Sequence, residues 1–169
     1  MNNHHKKQAD KYFWPPERLA LLDICRHIYK HAEEYYLYLS DIHREHRDIA
    51  KLWGLLAIDK CNHSDTFKMA CRLKGDGISD IRVHEEAASR LLARMKSIPR
   101  DRSVYLPSVE HSLQFSVKME ESLSRVHFSK VVRFHSDRDS QLMASSIRSS
   151  SSILHMITEE YVNLTLFTS

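Results

Sequence analysis

Glycine and proline are scarce in this chain, whose 169 residues include only 3 Gly and 4 Pro. Sheets and their tight turns consume Gly, Pro and Asn, so the shortage disfavours a sheet protein and favours long helices joined by few loops. Cysteine is sparse too. Cys25, Cys61 and Cys71 form no CxxC pair, which excludes a thioredoxin-type motif and a cysteine-rich zinc or iron knuckle. Reduced thiols in a cytoplasmic protein are the simple expectation. No apolar run nears the ~18 residues of a membrane span, and the opening MNNHHKKQADKYFWPP lacks the apolar core of a signal peptide. Net charge is a mild +3 with acids interleaved among bases, so no nucleic acid and no membrane partner is expected. Gly-rich phosphate loops, nucleophile elbows and basic–aromatic ladders do not occur.

What remains is ordinary globular material, 42% hydrophobic and 28% charged, enough for one compact domain with a real core. Residues 1–16 read as a disordered or extended segment, with His4 and His5 in a solvated end. Residues 17–161 form the domain, and 162–169 a tail. Pro15 and Pro16 before Glu17 suit a helix start. Apolar positions Leu21, Ile24, Ile28, Ala32, Tyr35 and Leu39 then recur at three and four, predicting an amphipathic helix from Glu17 to about Asp41. After the polar joint HREHRD a second helix is expected from Asp48 to Leu73, stopped by Gly75-Asp76-Gly77.

Residues 78–107 suggest one shorter helix capped by Ser79 or Asp80, with Pro99 and Pro107 bounding the loop behind it. Two further long helical patterns run from Ser108 to about Phe134 and from about Asp139 to Tyr161. Serine is a modest helix former, yet the flanks of the run at 145–152, SSIRSSSS, keep helical spacing, so helix is favoured there over loop. The plan is all-α: two antiparallel helix pairs joined by a long crossover that carries a short extra helix.

Leu52, Leu55, Leu56 and Phe67 mark an apolar face of the second helix, and Lys60 and His63 share it. Inward polar groups at mid-helix are costly unless they pair or bind something. Long-crossover bundles use such positions for two metal ions, held by glutamates and by Glu-x-x-His pairs one turn apart.

The first helix offers Tyr29-x-x-Ala32-x-x-Tyr35-Tyr36 and the third Glu121-x-x-Ser124-x-x-His127-Phe128; the second gives Leu56-Ala57-x-x-Lys60-x-x-His63 and the fourth Ser152-x-x-His155. Over residues 17–161 these motifs resemble the ferritin-like superfamily, most of all its rubrerythrin-like branch, whose helices tend to read Glu-x-x-Ala-x-x-Phe-Tyr and Leu-Ala-x-x-Glu-x-x-His. The resemblance implies a four-helix bundle and positions for a two-iron centre. Of the four glutamates it implies, only Glu121 is present in this register, although the neighbouring Glu120 could be the one facing the core. Tyr29, Lys60 and Ser152 take the other three places. An ammonium inside a ligand cage repels a metal at close range, so the implied reading is a vestigial site with no cofactor and no catalytic residue. The protein would then have a structural or interaction role, as a homo-oligomer such as a dimer or with a partner.

Lys60 pairing with Glu121, with Tyr29 supplying a hydroxyl, is the first form of that reading. The second keeps one metal, iron or zinc, on His63, Glu121 and His155, since two imidazoles and a carboxylate are a known ligand set. The chain would then be a rubrerythrin-like oxidoreductase handling peroxide, oxygen or iron. A third makes Lys60 an active amine through burial, but no electrophile partner accompanies it.

Other histidines read as incidental. His27 and His31 stand at i, i+4 beside a solvated face, and His43 and His46 lie in a charged corner. His127 replaces an aromatic at the core edge of the third helix and could hydrogen-bond inside the bundle. Tyr35, Tyr36 and Tyr38 cannot all face one way, so some should serve the core and others an exposed interface.

Overall fold

A computed structural model describes residues 14–73, 77–145 and 147–167, and it is mostly helical with one small sheet. Helix α1 spans Pro16–Ile42 and α2 spans Arg47–Arg72, each boundary within one residue of expectation. Proline in the first turn starts α1 where a missing N–H costs nothing. Leu22, Cys25, Ile28, Tyr29, Ala32, Tyr35, Tyr36 and Leu39 then bury one continuous stripe. The pair is an antiparallel hairpin: Ser40 Oγ donates to the Ala50 carbonyl at 2.9 Å near the turn, while Tyr29, further along α1, stacks on Phe67 near the far end of α2. Gly75 and Asp76 of the expected stop signal lie outside the described residues. Gly77, at φ +75, holds the left-handed backbone that L side chains resist.

The segment after α2 differs from the expected single helix. Ile78–Ile81 form strand β1, which pairs antiparallel with β2, Val132–Phe134, so that Ile78 faces Phe134 and Ile81 faces Val132. The spacing Ile78-x-x-Ile81 mimics a helix face, yet both isoleucines are buried by a strand with a bulge between Ile78 and Asp80. Helix α3, Glu85–Ser97, begins only after this strand and buries Ala88 and Met95. It packs against α1. The Arg100 guanidinium clips the connector in place by donating to the carbonyls of His31 and Met95 at 3.1 and 3.0 Å.

The long patterns at 108–134 and 139–161 are not two unbroken helices. Helix α4 spans Val109–Leu123, a 3₁₀ turn covers Ser124–Val126, and α5 is the single turn Phe128–Val131. Helix α6 runs Asp137–Ala144 and α7 runs Ser150–Phe167, through residues expected to be tail. Serine accounts for the breaks on either side of α6, because its hydroxyl satisfies local backbone groups that a helix would otherwise use. Ser136 Oγ accepts from the amides of Arg138 and Asp139 to start α6, Ser145 Oγ donates to the Leu142 carbonyl at its end, and Ser149 Oγ accepts from the Ser152 amide. The serine run is therefore partly loop, at 147–149, and partly helix. Helix α7 packs on α4 through Ile153 and Ile157, which are buried. Among the described residues no helix is long and apolar enough to cross a membrane.

Candidate functional site, a buried ion-pair cluster

Helix α2 carries Asp59, Lys60 and His63 on the face that also buries Leu52, Leu56 and Phe67. Lys60 is only 1% exposed and Asp59 only 2%, so neither can be hydrated as a surface charge would be. The Lys60 ammonium instead donates to Asp59 Oδ2 at 3.1 Å and to Glu120 Oε2 at 2.8 Å. Glu120 comes from α4 and is itself 1% exposed.

Two carboxylates thus face one ammonium, and each gives its other oxygen to a further donor. Tyr36 on α1 donates its hydroxyl to Glu120 Oε1 at 2.6 Å. The backbone amide of Arg148, between α6 and α7, donates to Asp59 Oδ1 at 2.9 Å. The Tyr29 ring lies 5.9 Å from the ammonium, within cation–π range. Burial, with Glu120 adding to it, pushes the Tyr36 phenol well above its ordinary range, so its proton stays on to be donated. Satisfied on all sides, such a cluster is costly to break from one side, at about 3–5 kcal/mol.

Beside the ion pair sit two imidazoles. His63 stacks on Tyr29 at 4.3 Å between ring centres and meets the His127 ring edge-on at 4.7 Å. Burial first, then the Lys60 charge and His127, push the His63 pKa down to about 2, so the ring is neutral. Its Nε2 stays 3.7 Å from Asp59 Oδ2, and its buried Nδ1 has no hydrogen-bond partner. His127 escapes the helical register through extended backbone angles, φ −60 and ψ 137. Its Nε2 lies 3.1 Å from the Arg148 carbonyl and its Nδ1 2.9 Å from Ser129 Oγ. Burial lowers its pKa as well, opposed by that carbonyl contact.

A second polar run extends from the cluster towards the α1–α2 turn. Trp53 Nε1 donates to Ser116 Oγ at 3.3 Å, Ser116 Oγ donates to the Ser112 carbonyl at 2.8 Å, and His43 Nε2 lies 3.1 Å from Ser112 Oγ. His43 is buried over the Trp53 ring rather than in a solvated corner, whereas His46 is exposed.

The expected site is therefore rearranged. Lys60, His63 and Tyr29 point into the core, and Tyr29 donates its hydroxyl to the Leu123 carbonyl at 3.2 Å rather than to the ion pair. Glu121 is exposed and its neighbour Glu120 pairs with Lys60. Ser152 and His155 are exposed on α7, pointing away from the buried Ile153 and Ile157. His63, Glu121 and His155 are thus not brought together, and among the described residues no group of three or more His, Cys, Asp or Glu side chains is placed to hold a metal ion. His27 and His31 each contact an acid of their own helix, Asp23 and Glu34. Tyr35 and Tyr36 are buried and Tyr38 half-buried, its hydroxyl donating to the Tyr105 carbonyl, so none of these three is fully exposed.

Asp59, Tyr36 and the Arg148 backbone were not expected from the sequence. Asp59 was legible in principle: it lies three residues beyond Leu56 and seven beyond Leu52, on the apolar stripe. The Arg148 amide has no sequence signal, since it is a backbone group. No family model, curated protein or solved structure matches this chain.

Proposed function

We propose that this chain is a non-catalytic helical bundle of the ferritin-like, rubrerythrin-like kind, in which a buried ammonium supplies the positive charge that metal ions supply in that architecture. Its role is then structural or interactive, as a homo-oligomer or with a protein partner. The observation that carries the reading is the Lys60 ammonium at 2.8 and 3.1 Å from the carboxylates of Glu120 and Asp59, all nearly excluded from water. These residues do not fit a two-metal centre. A divalent cation drawn to Glu120 and Asp59 would sit against a fixed positive charge, and Ser152 and His155 lie on the outer face of α7. An amine nucleophile is disfavoured by the same contacts, because the Lys60 nitrogen is engaged by two acids and is sealed from substrate.

Metal analysis of protein purified without chelator tests the reading, alongside Glu120→Ala and His63→Ala. Metal far below one ion per chain is expected. Iron or zinc near one per chain, lost in both variants, would instead support the metal-dependent alternative. Light scattering reads the oligomer: a dimer is expected, and a monomer at every concentration removes the homo-oligomer from the proposal.

A further inference from the structure

A groove on the other side of α4 carries none of the Lys60 cluster and has a different chemistry. It holds a volume of about 470 Å³ between α3, the strand β1 exit and the 3₁₀ turn. Arg82, Arg90, Arg94 and Arg125 line it together with His84, and no acidic side chain of the described residues does. These cations come from three separate elements. The dipole of α3 accounts for a basic residue in its last turn, such as Arg94. It gives no reason for Arg82 and Arg125 to converge on the same hollow.

Arg82 and Arg90 have carboxylate partners outside the groove, Asp80 and Glu86, in exposed pairs that bind each other weakly and exchange readily. Arg94 and Arg125 form no ion pair among the described residues. The floor between the four guanidinia is apolar: Val83, Ala87, Leu91 and Val126.

Leu91, Arg94 and Ser122 also line a second hollow of about 230 Å³ that continues along α3 and α4. Its walls include Met95, Ile98, Phe115 and Met119, with the cation of Lys118 but no acid. The two hollows together therefore present a cationic basin opening into an apolar trough. Guanidinium forks match the paired oxygens of a phosphate, and several around one basin favour a head of more than one negative charge. An apolar trough continuous with that basin selects an apolar body on the same molecule.

We propose that this groove binds a small amphiphilic anion, a phosphate monoester with an alkyl or aryl body, with its phosphate between Arg94 and Arg125 and its apolar part along Leu91 towards Phe115. Calorimetric titration of the full chain with octyl phosphate, inorganic phosphate and octanol tests this. Octyl phosphate is expected to bind at least about tenfold more tightly than either control. The double variant Arg94→Gln, Arg125→Gln, whose exposed positions leave the core intact, should weaken octyl phosphate by at least about tenfold. Phe115→Ala should weaken octyl phosphate and leave inorganic phosphate unchanged, and circular dichroism of each variant checks that the fold persists.

Equal binding of inorganic and octyl phosphate, equal binding of octanol, no binding of octyl phosphate, or a double variant that binds like the parent each overturn the proposal. Vesicles of phosphatidylcholine with and without phosphatidic acid separate the sources of the head group. Sedimentation with the acidic vesicles alone assigns it to a lipid, and octyl phosphate binding without sedimentation assigns it to a free molecule.

Discussion

Helices α1 and α2 run without a break for 27 and 26 residues, whereas residues 109–167 are divided into α4, a 3₁₀ turn, α5, β2, α6 and α7. The unbroken half brings polarity into the core, through Asp59, Lys60 and His63 on one face of α2. The divided half answers it. Glu120 comes from α4, His127 from the extended residue between the 3₁₀ turn and α5, and the Arg148 amide from the loop before α7. Inside an α-helix the Arg148 amide would be committed to a carbonyl four residues back and could not reach Asp59. The buried ammonium is thus answered from within α4, whereas the second oxygen of Asp59 is answered where the divided half stops being helical.

The largest loss is expected at Lys60. Lys60→Ala leaves two buried carboxylates without their cation, and urea denaturation at pH 7 is expected to show a loss of about 3–5 kcal/mol. Adding Glu120→Leu to Lys60→Met should cost less than the two single changes together, because they share one interaction. A loss within about 0.5 kcal/mol for Lys60→Ala, the range of an ordinary surface substitution, would mean that the ammonium contributes nothing to joining the halves.

Tyr36→Phe tests the α1 contribution to the same acid. It removes a donor to a charged acceptor and should cost about 1.5–3 kcal/mol, read by the same titration. The magnitude should fall when Glu120 is already Leu.

The buried histidines make stability depend on pH. His63 is held to about 2 when folded against an ordinary value of 6.5, so between these values the unfolded chain binds more protons. Stability must then rise with pH in that window and fall on acidification below about pH 6.5, by up to about 1.4 kcal/mol per unit for this one group. His127 and His43 shift in the same direction, each chiefly by burial, and steepen the fall. The groups around His63 are Asp59 and Lys60 on its own helix, Tyr29 on α1 and His127 beyond α4. His63→Phe should flatten the dependence between pH 6 and 5, measured by midpoint shifts in thermal melts.

The smallest expected effect is at the start of α4, where Ser108 Oγ accepts from the His111 amide at 3.2 Å. Ser108→Ala should cost about 1 kcal/mol. Hydrogen exchange should localise that loss to the divided half and leave protection of α1 and α2 unchanged.

The hairpin was legible because its apolar spacing is unbroken and its proline start is a strong local signal. Lys60 and His63 were legible as inward residues for the same reason, and Tyr29 through the motif that carries the family resemblance. On α4 the spacing points to Glu121 and leaves its neighbour Glu120 open, and helix geometry decides between them. Stepping by four from Leu113 through Val117 reaches Glu121, but at 3.6 residues per turn eight residues overshoot by about 80°, while seven fall short by only about 20°. The buried stripe accordingly runs Leu113, Ser116, Glu120, Leu123. His155 fails similarly, standing two residues from both Ile153 and Ile157 and so on the opposite face. The strands were hidden by their brevity, and the breaks at 124–127 and 147–149 carry no Gly or Pro to announce them.

Arg148 is exposed, yet both polar atoms of its main chain reach buried partners, the amide at Asp59 and the carbonyl at His127. The fastening between the C-terminal limb and the hairpin is thus indifferent to the identity of its side chain. Nineteen of the twenty amino acids can supply it, and proline alone cannot, because it has no hydrogen on nitrogen. A library of substitutions at this position should tolerate nearly everything except that one imino acid.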